Sequence, residues 1–356
     1  MQLVRLVIDD LRCFQHLDVA LRSGINAFVG GNGAGKTSLL EAAYVLSHGR
    51  SFRAGAAEAL LRRSATAWTV HAEIRHATGQ VQLLGLTRDA EGWRARVDGQ
   101  PVATLAAMIG HCAVICFEPG SHALIAGPAE ERRRFLDWGV FHVEHDFQPV
   151  WRRYRRALRQ RNALLRGMGE ADDHAPWEQE LAQQAESLDG LRRRYLDALE
   201  PLLADLCGAL IPELGAPILH YRRGWPAEEP LDSVLRGSRA RDQALGHTRA
   251  GPHRADWSLT FPAAPSRAQL SRGQAKLSAL SCLLAQADLH DQRTGDAAVL
   301  CMDDLASELD AAHLDAVVDR LCGRPRQVLV TGTALAPALA GAATVFHVEH
   351  GAVRPA

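Results

Sequence analysis

Apolar positions along the chain follow two different periods, and each period places elements. Ile25 to Val29 reads as a short buried strand, and residues 298–302 (AVLCM) are continuously apolar, as in a strand covered on both faces. A glycine-rich turn separates the first of these from a helix beginning at about Lys36. From Trp151 the spacing changes: Trp151, Tyr154, Leu158 and Leu165 share one helical face, with Arg161 at the missing seam position. After the polar break GMGEADDHAP the spacing returns at Trp177, Leu181, Leu188, Leu191 and Tyr195. Both runs fit heptad-type seams and predict a short antiparallel helical arm. Limbs of about 25 residues would each be roughly 35–40 Å long at 1.5 Å per residue.

The 356 residues, 47% of them hydrophobic, suffice for one large or two medium domains. A net charge of -1 excludes a whole-molecule basic field, so any nucleic-acid contact must use a local patch. Arginine supplies nearly all the positive charge, the only lysines being Lys36 and Lys276. The seven cysteines are scattered and form no zinc-type pair of pairs, which fits a reducing cytosol. The first residues carry early charges and no apolar block, and no uncharged run reaches the roughly 18–20 residues of a membrane span. The expected location is the cytoplasm, with no membrane partner.

The turn Gly30-Gly31-Asn32-Gly33-Ala34-Gly35-Lys36-Thr37 fits G-x-x-x-x-G-K-[ST] without a mismatch and lies between strand and helix. Its glycines let successive backbone N–H groups curl around an anion, and the helix N-terminus, with Ser38 in its first turn, adds partial positive charge. That is the chemistry of ATP or GTP binding: Lys36 reaches the β- and γ-phosphates and Thr37 offers its hydroxyl to Mg²⁺. The acidic partner comes from the apolar run that ends in Asp303-Asp304, at the carboxyl end of a strand where α/β sites collect. Asp303 is expected to hold Mg²⁺ and Asp304 to orient or activate the attacking water, so that Lys36 and Asp304 carry the catalysis.

Ser271-x-Gly273-Gln274 opens another helix shortly before the acidic strand. Alone it reads as an ordinary N-cap. The order of P-loop, Ser-x-Gly-Gln turn and acidic strand, with Glu308-Leu309-Asp310 behind it, resembles that of ABC-type ATPases. The resemblance implies that Ser271, Gly273 and Gln274 meet the γ-phosphate held by a second copy, so that two chains sandwich two ATP molecules. Lys36 and Ser271 are 235 positions apart, more than a compact transporter ATPase needs, and the helical arm fills that interval. The expected fold is an α/β, ABC-type (SMC-like) P-loop ATPase head with an inserted helical lobe. Its expected parts are residues 1–126 (head with P-loop), 127–206 (arm) and 207–356 (head with signature and acidic strand).

Longer segments narrow the resemblance. LVRLVIDDLRCF, GGNGAGKTSLLEA, SHGRSFR, GPAEERRRFLDWGVFH, QRNALLR, GPHRAD, LSRGQAK and DDLASELD resemble the RecF family of bacterial recombinational-repair ATPases over essentially the whole length. The resemblance implies ATP-dependent homodimers on double-stranded DNA near single-strand gaps. It also implies a weak, DNA-stimulated ATPase acting as a timer, and cooperation with RecR and RecO to load RecA. Another SMC-like DNA-associated ATPase, and then a transporter-type subunit, are the alternatives. Two departures stand out: Glu118-Pro119 replaces the family's Pro-Glu, and QVLVTGT offers Thr331 and Thr333 where transporters place a histidine.

Arg132-Arg133-Arg134 form one arginine cluster. Arg152, Arg153, Arg155, Arg156 and Arg159 lie off the arm's apolar seam, with Arg161 and Arg166 beyond them. The off-seam face suits DNA phosphates, contacted without sequence readout. It also suits a solvated arm balanced by Glu170, Asp172 and Asp173. Arg50, Arg53, His253 and Arg254 fit either nucleotide or DNA. FHVEH occurs twice, but its spacing is not H-E-x-x-H, and alternation along a strand would turn its residues to opposite faces.

Overall fold

The computed structural model of the protein describes residues 1–53, 57–168 and 174–356, and the chain divides into two compact units. The first comprises Met1–Ser121 and Leu280–Ala356; the second is His122–Ala279. In chain order the first unit opens with β1 (Gln2–Leu11), β2 (Phe14–Ala20), β3 (Ile25–Val29), α1 (Lys36–His48), β4 (Trp68–Arg75), β5 (Val81–Asp89), β6 (Gly92–Val97), β7 (Gln100–Pro101), α2 (Leu105–Ile109) and β8 (Val114–Phe117). The second unit holds α3 (Ala123–Ala126), α4 (Ala129–Val143), α5 (Phe147–Leu165), α6 (His174–Leu210), β9 (Ile218–Arg222), α7 (Leu231–Leu245), β10 (Asp256–Thr260) and the start of α8 (Arg272–Thr294). The chain returns to the first unit along α8 and adds β11 (Val299–Met302), α9 (Leu305–Glu308), α10 (Ala311–Cys322), β12 (Val328–Gly332), β13 (Ala343–Glu349) and β14 (Ala352–Pro355).

Two six-stranded sheets build the first unit, β2-β1-β4-β5-β6-β7 and β14-β13-β3-β12-β11-β8. The first is antiparallel and its long strands alternate, as β4 does with every second residue buried. The second runs parallel from β13 to β8, and β8, β11 and β12 are buried at every position, as strands covered on both faces must be. Asn26, the polar residue within β3, is also sealed; it exchanges hydrogen bonds of 2.8 Å each with the Arg22 amide and carbonyl. Helix α1 shares the core with both sheets, and all its residues from Ser38 to Ser47 are buried. Its apolar run from Leu39 to Leu46, broken only by Glu41, suits that position. In β13, Phe346 and Val348 turn inward while His347 and Glu349 are exposed, so the second FHVEH copy divides between two faces.

The second unit is larger than the expected arm of residues 127–206. Helix α5 has 19 residues and α6 has 37, so the limbs are unequal, about 28 and 55 Å long at 1.5 Å per residue. The apolar face of α6 continues past Tyr195 through Leu199, Leu203, Leu206 and Leu210. Residues 207–279 belong to this unit because buried arginines of the arm reach into them. Arg132 binds Asp256 (Nε to Oδ1, 2.7 Å), while Trp257 Nε1 donates to the Arg132 carbonyl at 2.8 Å. Arg161, wholly buried on the seam of α5, donates to Glu178, Asp242, Thr248 Oγ1 and the Leu235 carbonyl. Among the described residues no helix is long and apolar enough to cross a membrane.

Candidate functional site

The P-loop joins β3 to α1, and its backbone shape is dictated at two glycines. Gly35 has φ +116°, and a Cβ there would meet Cys13 Sγ at 2.8 Å and Phe14 Cζ at 3.0 Å. A Cβ on Gly30 would sit 2.1 Å from the Val348 carbonyl oxygen. Only glycine satisfies both. Lys36 Nζ donates to the carbonyls of Gly30 (2.7 Å) and Gly31 (2.9 Å), so the ammonium lies across the loop. The amide of Leu39 bonds back to Gly35, and the first N–H groups of α1 face the loop as an anion site.

Strand β12 lies between β3 and β11, and its Thr331 organises the acidic pair. The Thr331 hydroxyl donates to Asp303 Oδ1 at 2.7 Å and accepts the Asp304 amide at 2.9 Å. Thr37 Oγ1 donates to the same Asp303 oxygen at 2.9 Å. Burial pushes the Asp303 carboxyl above the ordinary aspartate range, opposed by the two threonine hydroxyls and the charge of Arg53. Asp304 takes the left-handed conformation (φ +54°, ψ +36°), and its carboxylate accepts Ser307 Oγ at 3.0 Å. A non-glycine residue held there costs about 1–3 kcal/mol and persists where its surroundings fix it. The hydroxyl of Thr37 and the buried carboxylate of Asp303 form an all-oxygen donor set, which fits Mg²⁺ rather than a thiophilic metal.

These groups line a cleft of about 770 Å³, a volume suited to a nucleotide-sized ligand. Asn32, Gly33, Gly35, Lys36, Thr37, Ser38, Asp303, Asp304 and Thr331 all face it, with Gly30, Gly31 and Ala34 completing the loop behind them. Glu118 and Pro119 also line it, the Glu118 carboxylate accepting the Gly120 amide at 2.7 Å. Thr333 and Arg50 are not among the lining residues, whereas Arg53 is. The sequence reading missed Arg12. It sits in the β1–β2 turn with φ +54° and reaches the cleft wall. Its only sequence signal was a charge inside an apolar LRCF stretch.

The remaining candidates belong to the second unit. Ser271 caps α8: Gln274 N donates to Ser271 Oγ (3.2 Å) and Ser271 N to Gln274 Oε1 (3.1 Å). The turn is nonetheless exposed at residues 271–273, and a Cβ on Gly273 would meet nothing nearer than Ser271 Oγ at 4.0 Å. Arg152, Arg153, Arg155, Arg156 and Arg159 are all exposed on α5, with Arg155 over the Trp151 ring and Arg156 over that of Trp177. Arg132 and Arg161 are structural instead, and Arg134 pairs with Glu130 and Glu131. His253 bonds Tyr154 OH (2.5 Å) and the Thr248 carbonyl (3.0 Å). Burial and neighbouring arginine charges bring its pKa down to about 4, so it is a neutral strut, while Arg254 beside it is exposed. Glu170, Asp172 and Asp173 lie outside the described residues.

Residues 2–351 match the family described as RecF/RecN/SMC N terminal domain. The "DNA replication and repair protein RecF" of Xanthomonas axonopodis pv. citri (strain 306) is 45% identical over 361 residues, covering 99% of this chain and 98% of that protein. The protein of the same name from Stenotrophomonas maltophilia (strain R551-3) is 44% identical over 361 residues, 99% of this chain and 99% of its own. Among solved structures, the "recombination mediator protein RecF-ATP in RecFOR pathway" superposes with a TM-score of 0.91 at 24% identity, covering 99% of this chain and 97% of that one. An Smc head bound to the C-winged helix domain of ScpA gives 0.60 at 16% identity, covering 100% and 97%. The fold is therefore the ABC-type, SMC-like head. The chain belongs to the RecF/RecN/SMC N-terminal domain family, and its curated relatives place it with RecF.

Proposed function

We propose that this RecF-family protein is a cytoplasmic, ATP-dependent DNA-binding factor of recombinational repair and replication restart, in which ATP closes two copies on duplex DNA. The reading is carried by one observation: a P-loop cleft whose two aspartates are ordered by a single hydroxyl, Thr331. Lys36 turns from the loop carbonyls to the β- and γ-phosphates while the loop amides hold their oxygens. Thr37 and Asp303 would hold Mg²⁺, which supplies charge neutralisation on the phosphates when bound. Asp304 orients the attacking water, its backbone and carboxylate fixed by Thr331 and Ser307.

The exposed, capped turn at Ser271 and Gly273 offers a helix N-terminus to the γ-phosphate of a second copy, and Gln274 keeps the cap in register. Because ATP would bind both surfaces only in the paired state, it drives an isologous dimer. The exposed arginines of α5 would contact duplex phosphates, giving sequence-independent, salt-sensitive binding and a weak, DNA-stimulated ATPase. The relatives' names support DNA repair and replication as the setting; double-stranded and gapped DNA are the ligands of this proposal. RecR with RecO, and through them RecA, are the partners that family resemblance implies.

Analytical ultracentrifugation with and without ATP and a gapped duplex tests the scheme. A monomer without ATP, a dimer with it and a DNA-bound dimer with both are expected. A chain that binds ATP yet sediments as a monomer under every condition would refute the dimer.

A further inference from the structure

Helix α1 carries a single acid, Glu41, one turn beyond Thr37, and it is wholly buried. Its carboxylate accepts a two-pronged bond from Arg12 (Nε to Oε2, 3.0 Å; Nη2 to Oε1, 2.7 Å). Ser51 Oγ donates to Oε1 at 2.5 Å, and Arg53 Nη1 lies 3.5 Å from Oε2. Ser51 Oγ in turn accepts the Arg53 amide at 2.9 Å. One carboxylate thus ties together the β1–β2 turn, the helix that bears Lys36 and Thr37, and the segment that follows it. The Glu41 side chain is 0% exposed, whereas those of Arg12 and Arg53 are 22% and 43% exposed, and both arginines line the cleft.

Core stability does not require this arrangement, since replacing a whole buried ion pair by apolar residues of similar volume is often neutral or stabilising. The geometry has a directional consequence instead. Two guanidinium groups share one sealed carboxylate, so a positive charge is left facing the cleft; Arg12 is held by its two-pronged bond, and the more exposed Arg53 is drawn toward the same carboxylate. Arg53 lines the same cleft as Lys36, Thr37 and Asp303, at the phosphate- and metal-binding end of the site.

We propose that Glu41 is a positioning residue that presets Arg12 and Arg53 toward the terminal phosphates of ATP. The inference rests on the ATP-binding reading above. Glu41 touches no nucleotide; it acts through the two arginines, by fixing their forks before the ligand arrives.

The test is titration of wild type and Glu41→Gln with fluorescent N-methylanthraniloyl ATP and ADP, alongside thermal melting. Glutamine keeps the size of Glu41 and its hydrogen bond to Ser51 but removes the charge. ATP affinity should fall about tenfold, as is typical when a supporting residue is lost, and ADP affinity should fall less. In the Arg12→Ala/Arg53→Ala background, adding Glu41→Gln should cost no further ATP affinity. Unchanged affinity, equal losses for both nucleotides with a lowered melting temperature, or additive losses would each overturn the proposal. Should Glu41→Gln fail to fold, Ser51→Ala carries the same comparison, an ATP-selective loss supporting the proposal and an unchanged affinity overturning it. Failure of the wild type to bind ATP would instead strike the reading on which the proposal rests.

Discussion

Replacing Arg161 with methionine removes a cation that two buried acids share, and the consequences for them are unequal. Glu178 keeps a second guanidinium, because Arg239 Nη2 lies 2.5 Å from its Oε2. Asp242, whose side chain is 0% exposed, keeps Ser238 Oγ at 3.1 Å but loses Arg161 Nη1 at 2.8 Å. Breaking a buried pair from one side costs about 3–5 kcal/mol, because a desolvated charge is left behind. For a unit of this size each kcal/mol moves the melting temperature by about 2–4 °C, so Arg161→Met should melt roughly 6–20 °C below wild type. The reasoning also ranks the rescues. Adding Asp242→Asn should recover part of the loss by removing the stranded charge, whereas adding Glu178→Gln should recover little, since Arg239 already balances Glu178. Circular-dichroism melts of the four proteins decide the matter. The reasoning fails if Arg161→Met melts with wild type, or if Glu178→Gln is the better rescue.

Asp303 gives a pH-dependent prediction. Its pKa is raised in the fold, chiefly by burial, so its contribution to stability is present below the ordinary aspartate range and is lost as pH rises through the raised value. The carboxylate form of Asp303 is therefore less compatible with the fold than its neutral form, and Asp303→Asn should melt at or above wild type in metal-free buffer yet lose the stabilisation given by Mg²⁺ with ATP; a lower metal-free melting temperature would contradict this. Ser271→Arg should still bind ATP but stay monomeric in sedimentation, and a persistent ATP-dependent dimer would remove the signature turn from the interface. Alanine at Arg152, Arg155 and Arg159 should flatten the salt dependence of DNA binding by up to about three in log–log slope, and an unchanged slope would move the DNA surface elsewhere.

The parts of the site legible in the sequence were those whose chemistry is local. Gly30 to Thr37 is one turn, and Asp303-Asp304 is one strand end, so residue type and spacing carry the whole message. Thr331 was visible as a hydroxyl, but its bridging role depends on β12 lying between β3 and β11, and strand order is not written in any window. Arg12, Glu41 and Arg53 were harder still, because three separate segments converge on one carboxylate. The arginine clusters show the same limit from the other side. Arg132 and Arg161 look like their neighbours in the sequence, yet each is buried against acids while Arg152 to Arg156 include four exposed guanidinium groups. The arm's seam was read correctly at Leu181, Leu188, Leu191 and Tyr195. Its end was not, because the apolar spacing of α6 runs on to Leu210 and the following segment is anchored by partners far back in the chain.

The last strand of the head before the insertion and the first strand after it are neighbours in one sheet. Val114 to Phe117 of β8 pair in parallel with Val299 to Met302 of β11, residue against residue. A parallel crossover needs at least about a dozen residues and sets no upper limit. The length of what is inserted is thus a free variable, decoupled from the register that delivers Asp303 to the P-loop. A lineage could lengthen, shorten or replace the stretch between His122 and the turn at Ser271 and leave the residues that line the nucleotide cleft unaltered, so that one head can carry insertions of very different reach.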